Sequence, residues 1–120
     1  MIGFDTFFSI KGRISRLSFW VGHIVQLLLL GGLLGLGVLL ERGSNEPSQF
    51  SSVFMIVFFL LFFWTGLCIN GKRWHDRDKS AWWILIGLIP GIGLIWVIVE
   101  NGCLQGTQGP NRFGDDPLAT

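Results

Sequence analysis

Charged residues are scarce in this 120-residue sequence and are unevenly distributed. Lys, Arg, Asp and Glu make up 14% of the chain, and none of them occurs in residues 17–40, 47–71 or 80–99. A soluble helical protein needs a polar face on each surface helix. The second stretch is apolar around its whole circumference between Val53 and Trp64, which argues against a soluble fold.

Each uncharged stretch is long enough to cross a bilayer, because about 20 apolar helical residues span the roughly 30 Å hydrocarbon core. We therefore predict an all-α membrane protein with three transmembrane helices, at about residues 19–40, 50–69 and 81–99. The 120 residues form a single membrane domain. A cleaved signal peptide is not predicted, because the first apolar run is too long and lacks a small-x-small cleavage site.

Several functional signatures are also missing. The sequence has no metal-ligand spacing, no nucleophile elbow and no phosphate-loop spacing, so we predict no metal and no cofactor. Nucleic acid is not a predicted partner. The two cysteines, Cys68 and Cys103, lie on opposite sides of the membrane if there are three spans, and they then cannot form a disulfide.

The positions of Lys and Arg predict the orientation, because basic residues accumulate in cytoplasmic flanks. The N-terminal segment and the second connection carry seven of them: Lys11, Arg13, Arg16, Lys72, Arg73, Arg77 and Lys79. The first connection and the tail carry only Arg42 and Arg112. We therefore expect a cytoplasmic N-terminus and a periplasmic C-terminus, the latter in an irregular Gly/Pro-rich tail over residues 102–120.

Two local features refine this topology. Phe4, Phe7 and Phe8 precede the basic cluster and predict a short N-terminal interfacial segment. Pro90 lies inside the third apolar run, where it predicts a kinked span; the alternative is a re-entrant hairpin that returns the tail to the cytoplasmic side. Nineteen residues suffice for one crossing and not for two, which favours the kinked span.

Polar side chains gather near the predicted cytoplasmic ends of the spans. The candidate site consists of Arg13, Arg16, Arg73, His75, Asp76 and Arg77. Three interpretations remain open. The arginines anchor the fold by pairing with Asp76, Asp78 and lipid phosphates, or they bind an anionic headgroup or a partner as bidentate phosphate ligands. In the third interpretation, His75 acts as an acid–base catalyst oriented by Asp76 or Asp78. A single His–Asp pair is a weak catalytic signal, so an enzyme is not predicted.

Four motifs in order resemble a known family. They are Gly12-Arg13-Ile14-Ser15-Arg16 with Phe19-Trp20, Arg73-Trp74-His75-Asp76 with Ser80-Ala81-Trp82-Trp83, Ile89-Pro90 with Gly93, and Gly106-Thr107 through Asn111-Arg112-Phe113-Gly114 with Asp116-Pro117. This set resembles the bacterial domain-of-unknown-function family 805 of small inner-membrane proteins. The resemblance implies a multi-pass protein of the bacterial plasma membrane and implies no activity.

The leading hypothesis for function is non-enzymatic binding of anionic membrane lipid headgroups or of a partner membrane protein, as a homo-oligomer, through a basic and aromatic cytoplasmic face. The alternative is a small transporter or channel subunit, which also requires an oligomer because three spans without buried charge cannot line a hydrophilic path. Small-xxx-small pairs at Gly31/Gly35 and Gly87/Gly91 offer close helix contacts, within the monomer or between subunits.

Overall fold

The structure is a computed structural model that describes residues 3–43, 45–46 and 48–118. Three helices come first: α1 (Phe4–Phe8), α2 (Arg16–Leu40) and α3 (Gln49–Asp76). A 3-10 helix (Ala81–Leu88), a short helix α4 (Ile92–Val97) and a π-helical turn (Ile98–Cys103) follow. Within the described residues there is no strand, only one isolated antiparallel bridge between Asn111 and Gly114. The predicted all-α class is confirmed.

Two helices are long and apolar enough to cross a membrane. The 25 residues of α2 extend about 37 Å, and the 28 residues of α3 about 42 Å. Serine caps begin both helices: the Ser15 hydroxyl accepts a hydrogen bond from the backbone N–H of Ser18, and the Ser48 hydroxyl from that of Ser51. Because α3 continues to Asp76, residues 72–76 are its last turns and not part of a loop.

The third uncharged stretch is not one helix. The chain reverses at Pro90 and Gly91, where Gly91 adopts a φ of +75°, a left-handed conformation that glycine tolerates best. The two arms then pack on each other, with Gly93 against the backbone carbonyl of Ile86 and Gly87 against Val97. We call residues 81–103 the hairpin.

The predicted continuous helix over residues 81–99 is therefore wrong, because the chain doubles back as the hairpin alternative predicted. Lys79 forms an ion pair with Glu100, although a continuous helix would hold the two residues about 30 Å apart. The physical reason is Pro90, which lacks a backbone donor and disfavours helical backbone in the residue before it. Reversal at Gly91 then returns the chain to the end of α3 from which it came.

The tail lies on the same side as the N-terminus, so the predicted placement of the two termini on opposite sides is wrong. Arg13 donates hydrogen bonds to the carbonyls of Thr107, Gly109 and Gly114, which holds the tail beside the N-terminal segment. Cys103, at the base of the hairpin, shares this side. Cys68 lies only about two turns before the end of α3, so the two cysteines are not at opposite surfaces.

The buried core is small and sits at the end of the molecule that carries the termini. Ile14, Phe19 and Ile69 form it, and Phe7 of α1 packs against them. The short N-terminal helix is confirmed: Phe7 faces the core, while Phe4 and Phe8 stack on each other at the surface. Beyond the base of the hairpin, the described part of the tail contains no helix, as predicted.

Candidate functional site

The last turn of α3 carries the buried ionic centre of the molecule. Asp76 accepts hydrogen bonds from Arg13, with Nε–Oδ1 3.0 Å and Nη2–Oδ1 2.9 Å, and from Arg73 through Oδ2. The exposed fractions of the three side chains are 1% for Arg13, 6% for Asp76 and 0% for Arg73. We call these three residues the buried triad. One carboxylate thus neutralises half of the positive charge that two buried guanidinium groups carry.

Backbone carbonyls satisfy the remaining donors of the triad. Arg13 donates to the carbonyl of Thr107 at 2.6 Å and to that of Gly109 at 2.8 Å. Arg73 donates to the carbonyls of Ile14, Asn101 and Leu104. These bonds join the N-terminal segment, α3, the hairpin and the tail, and buried charges are tolerated only when they are paired in this way.

A close backbone approach allows the tail to reach the triad. The backbone N–H of Thr107 donates to the carbonyl of Asp76 at 2.7 Å. A β-carbon on residue 106 would collide with the Asp76 carboxylate. This contact therefore requires glycine at position 106.

His75 is held by three contacts to the same segments. Its Nδ1 lies 3.0 Å from the carbonyl of Gly12, its ring stacks on Phe113 with centroids 4.0 Å apart, and its own carbonyl accepts a bond from Asn111. A carbonyl partner makes Nδ1 the donor nitrogen. Neither Arg13 nor Asp76 contacts the ring among the described bonds, because Asp76 is bonded to the two arginines. The carboxylate of Asp78 pairs with Arg112, so neither Asp76 nor Asp78 orients the His75 ring among the described contacts.

Arg16 and Arg77 differ from the triad because they reach the surface. Arg16 is exposed and donates to the carbonyl of Cys103 at 2.8 Å. Arg77 is partly exposed, donates to the carbonyl of Gln105 and lies 3.6 Å from Glu100. Arg16, Arg73 and Arg77 thus bind the consecutive carbonyls 103, 104 and 105, and Arg73 lies within electrostatic range of both other arginines.

Glu100 closes the base of the hairpin. Its carboxylate accepts hydrogen bonds from Lys79 and from the Trp96 indole, the latter at 2.6 Å. Burial is the largest single influence and raises the pKa of Glu100. The hydrogen bonds from Lys79 and Trp96, together with the charges of Lys79 and Arg77, outweigh burial, so the pKa of Glu100 lies below its usual 4.5.

A second polar cluster ties the spans together at membrane depth. Gln26 donates to Thr65 at 2.6 Å and to the carbonyl of Phe62 at 2.9 Å, while His23 Nδ1 lies 3.0 Å from the Gln26 side-chain oxygen. Asn70 lies 3.5 Å from His23 Nε2 and accepts a bond from Asn101 of the hairpin. Asn101 reaches this cluster only because the hairpin returns the chain to α3, which the predicted third span did not allow.

The described residues contain no group of three or more His, Cys, Asp or Glu side chains arranged to hold a metal ion. Four arginines, at positions 13, 16, 73 and 77, give the site bidentate hydrogen bonding and positive charge.

Comparison with known proteins identifies relatives across most of the chain. The family described as "Protein of unknown function (DUF805)" matches residues 7–115. Inner membrane protein YhaH of Escherichia coli is 36% identical over 109 residues, which cover 89% of this chain and 85% of YhaH. Inner membrane protein YhaI of the same organism is 30% identical over 107 residues, which cover 89% and 84%. Uncharacterized protein YiiR of Escherichia coli is 31% identical in an alignment of 133 positions, gaps included, that covers 91% of this chain and 86% of YiiR.

No solved structure matches the chain. The family match contains the first three sequence motifs in full and the fourth from Gly106 to Gly114, whereas Asp116-Pro117 lie just beyond its end. Two of the relatives are named as inner membrane proteins, in agreement with two apolar helices of membrane-spanning length. This chain therefore belongs to the DUF805 family.

Proposed function

We propose that this chain is an inner-membrane protein that binds the headgroup of an anionic phospholipid between Arg16 and Arg77, with both termini in the cytoplasm. The observation that carries the proposal is the surplus positive charge at the base of the hairpin. Asp76 is engaged by Arg13 and Arg73, and Glu100 is shared by Lys79 and Arg77. No described carboxylate forms an ion pair with Arg16.

The orientation follows from charge. All nine basic residues lie in the described part of the chain, and with a re-entrant hairpin eight of them lie on the side of the termini. Only Arg42 lies at the other end of the two long helices. Eight against one is a stronger bias than the seven against two expected for three spans, and basic residues favour the cytoplasmic side.

The geometry suits a phosphate. Arg16 and Arg77 donate to carbonyls two residues apart, and this spacing is about 7 Å in an extended chain. A guanidinium group binds phosphate through two parallel N–H donors, and Arg16 retains N–H groups that face no described acceptor. The Nε of Arg77 is buried, so Arg77 contributes mainly through its positive charge. Arg13 and Arg73 do not contribute, because they are buried and bound to carbonyls.

Exposed apolar side chains beside Arg16 offer a surface that the acyl chains of the bound lipid can contact. Leu17 and Trp20 follow it on α2, and Leu104 follows the carbonyl-bearing Cys103; all three are exposed. The Trp20 indole donates to the carbonyl of Gly102 at 2.9 Å, so its ring is held beside the base of the hairpin. An aromatic ring at this depth is typical of the lipid interface.

The test is lipid selectivity in bilayers, measured by electron spin resonance with spin-labelled phosphatidylglycerol and phosphatidylcholine. Each interfacial basic residue contributes about 1 kcal/mol to attraction for anionic lipid, so Arg16→Gln with Arg77→Gln should reduce the preference for phosphatidylglycerol about 30-fold. Arg42→Gln, on the far side, is the matched control for the loss of one basic residue outside the site and should reduce the preference at most about fivefold. An unchanged preference in the correctly folded double variant would refute the site.

Self-association is a second candidate function, favoured by one observation. A β-carbon placed on Gly31 or Gly35 of α2 would meet no described atom within 4 Å, whereas Gly37 packs against Phe54 of α3. This glycine face is therefore not used within the chain, and small-xxx-small faces promote helix association in lipid. Gly35→Ile should abolish energy transfer between labelled copies in vesicles, with Leu29→Ile as the control. Retained transfer in the Gly35 variant would exclude this face.

A further inference from the structure

The helical segments are divided unequally between the two halves of the membrane. Only α2 and α3 are long enough to reach both surfaces. The hairpin enters and leaves at the side of the termini, where Lys79 and Glu100 close its base. Its arms extend about 16 Å and about 18 Å, which is about half to three-fifths of a 30 Å hydrocarbon core, so neither arm crosses the core. α1 lies on the same side, because Lys72 near the end of α3 donates to the carbonyl of Asp5.

The hairpin presents an apolar surface to lipid. No charged residue occurs between residues 80 and 99. Trp82 is 76% exposed and Leu88 74% exposed, and Ile92 and Ile95 on the second arm are exposed as well. A surface of this kind is stable only among acyl chains, and the acyl chains within its reach belong to one leaflet.

The hairpin is also rigid, so it occupies a fixed area. The two arms are in contact at Gly93 and Gly87, its base is tied by Lys79, Trp96 and Glu100, and Arg73 binds the carbonyl of Asn101. Lipid pressure within the leaflet cannot collapse it without breaking these contacts.

We propose that the chain is a wedge that expands the leaflet on the side of its termini, and that it concentrates in membranes that are convex on that side. Five helical segments, namely α1, α2, α3 and the two hairpin arms, occupy this half of the bilayer, against two in the other half. Each helix with its side chains is about 10 Å across, so the imbalance is large compared with the width of a single span. Insertion into one leaflet alone is the property that makes amphipathic segments sensitive to curvature.

This inference goes beyond headgroup binding and does not depend on it. The expansion arises from inserted volume, not from charge, and it persists in a bilayer of uncharged lipid. Vesicles of pure phosphatidylcholine therefore separate the two proposals, because the Arg16 and Arg77 site has no anionic headgroup to bind there.

The experiment measures protein density in membrane tubes pulled outwards from giant phosphatidylcholine vesicles. An impermeant maleimide dye added outside labels the exposed Cys103 only in molecules whose termini face outwards, and the buried Cys68 stays unlabelled. These molecules should be enriched in the tube, with a tube-to-sphere density ratio above one that rises as the tube narrows. In the Cys103→Ser, Arg42→Cys variant the dye marks the opposite orientation, and the ratio should fall below one.

Matched truncations test the origin of the effect. Trp82→Ala with Leu88→Ala removes volume from the hairpin and should move the first ratio towards one. Leu36→Ala with Leu40→Ala removes volume at the far end of α2 and should raise it. A ratio of one for both orientations, or an enrichment of the same sign for both, overturns the proposal, whatever the outcome of the lipid-selectivity test.

Discussion

Replacing Asp76 by Asn removes the one carboxylate of the buried triad and leaves Arg13 and Arg73 without a counter-charge. The side chain keeps its size and one oxygen, so the change isolates charge from packing. Removing one partner of a buried ion pair costs about 3–5 kcal/mol, because the remaining charge stays desolvated. The carbonyl partners of both arginines remain, which places the expected loss of unfolding free energy near about 3 kcal/mol.

The matched control is Asp78→Asn, two residues later on the same side of the molecule. Asp78 also pairs with an arginine, Arg112 at 3.3 Å, but the exposed fractions of the two side chains are 49% and 62%. Exposed pairs contribute at most about 1 kcal/mol. Asp78 has a φ of +58°, which Asn tolerates as well as Asp does, so the control introduces no new backbone strain.

The assay is thermal unfolding in mild detergent, followed by tryptophan fluorescence. A loss of about 3 kcal/mol corresponds to a fall of about 10 °C in the midpoint for a chain of this size, against about 3 °C or less for Asp78→Asn. Adding Arg13→Gln to Asp76→Asn should cost less than the sum of the single changes, because one unpaired charge disappears. Equal midpoints for the two Asp→Asn variants would show that the triad does not hold the fold together.

Three further changes probe other contacts. Gly102→Ala should lower unfolding free energy by about 1–3 kcal/mol, because the new methyl group would lie 2.5 Å from Trp20, whereas Gly31→Ala faces open space and should be neutral or stabilising in thermal unfolding. The lowered pKa of Glu100 means that its contribution is complete above pH 4.5 and is lost as pH falls through the lower folded-state value, so Glu100→Gln should reduce the acid sensitivity of unfolding below pH 4.5. Cys103 should react with an impermeant maleimide in inverted inner-membrane vesicles and not in intact spheroplasts.

Each of these three predictions can be contradicted by a specific measurement. Equal midpoints for the two glycine variants would mean that the hairpin base does not pack on α2. An unfolding curve in acid that is the same with Glu at position 100 as with Gln would mean that the carboxylate has no favourable partners in the fold. Labelling of Cys103 from outside intact spheroplasts would place the tail, and with it the N-terminus, in the periplasm.

The two long helices were predictable because an apolar run of 20 or more residues is stable in the hydrocarbon core of a bilayer only as a helix. The ends of these helices were harder to predict. Helix α3 continues past the uncharged stretch to Asp76, because helical hydrogen bonding does not require apolar side chains. The reversal in the hairpin could not be predicted from residues 81–99 alone, because Pro90 is compatible with a kinked helix as well as with a reversal. The informative signal was Lys79 and Glu100, opposite charges at the two ends of one uncharged run.

The sequence predicted which side chains belong to the candidate site but not which of them contact each other. Arg13, Arg73 and Asp76 do meet, as their shared placement near one surface suggested. Their carbonyl partners on the tail were out of reach of sequence reasoning, because every residue carries a backbone carbonyl and none is distinguished by its side chain. Placing the tail on the far side of the membrane followed directly from the mistaken third span.

The order in which the triad acquires its partners has a consequence for biosynthesis. Arg13 precedes Asp76 by 63 residues and the carbonyl of Gly114, the last of its partners along the chain, by 101. At about 5–20 residues per second, a ribosome takes about 5–20 s to supply that last partner after Arg13. A translation product that stops short of Thr107 lacks all three carbonyl partners of the Arg13 guanidinium group, so we expect it to be degraded faster than the finished chain.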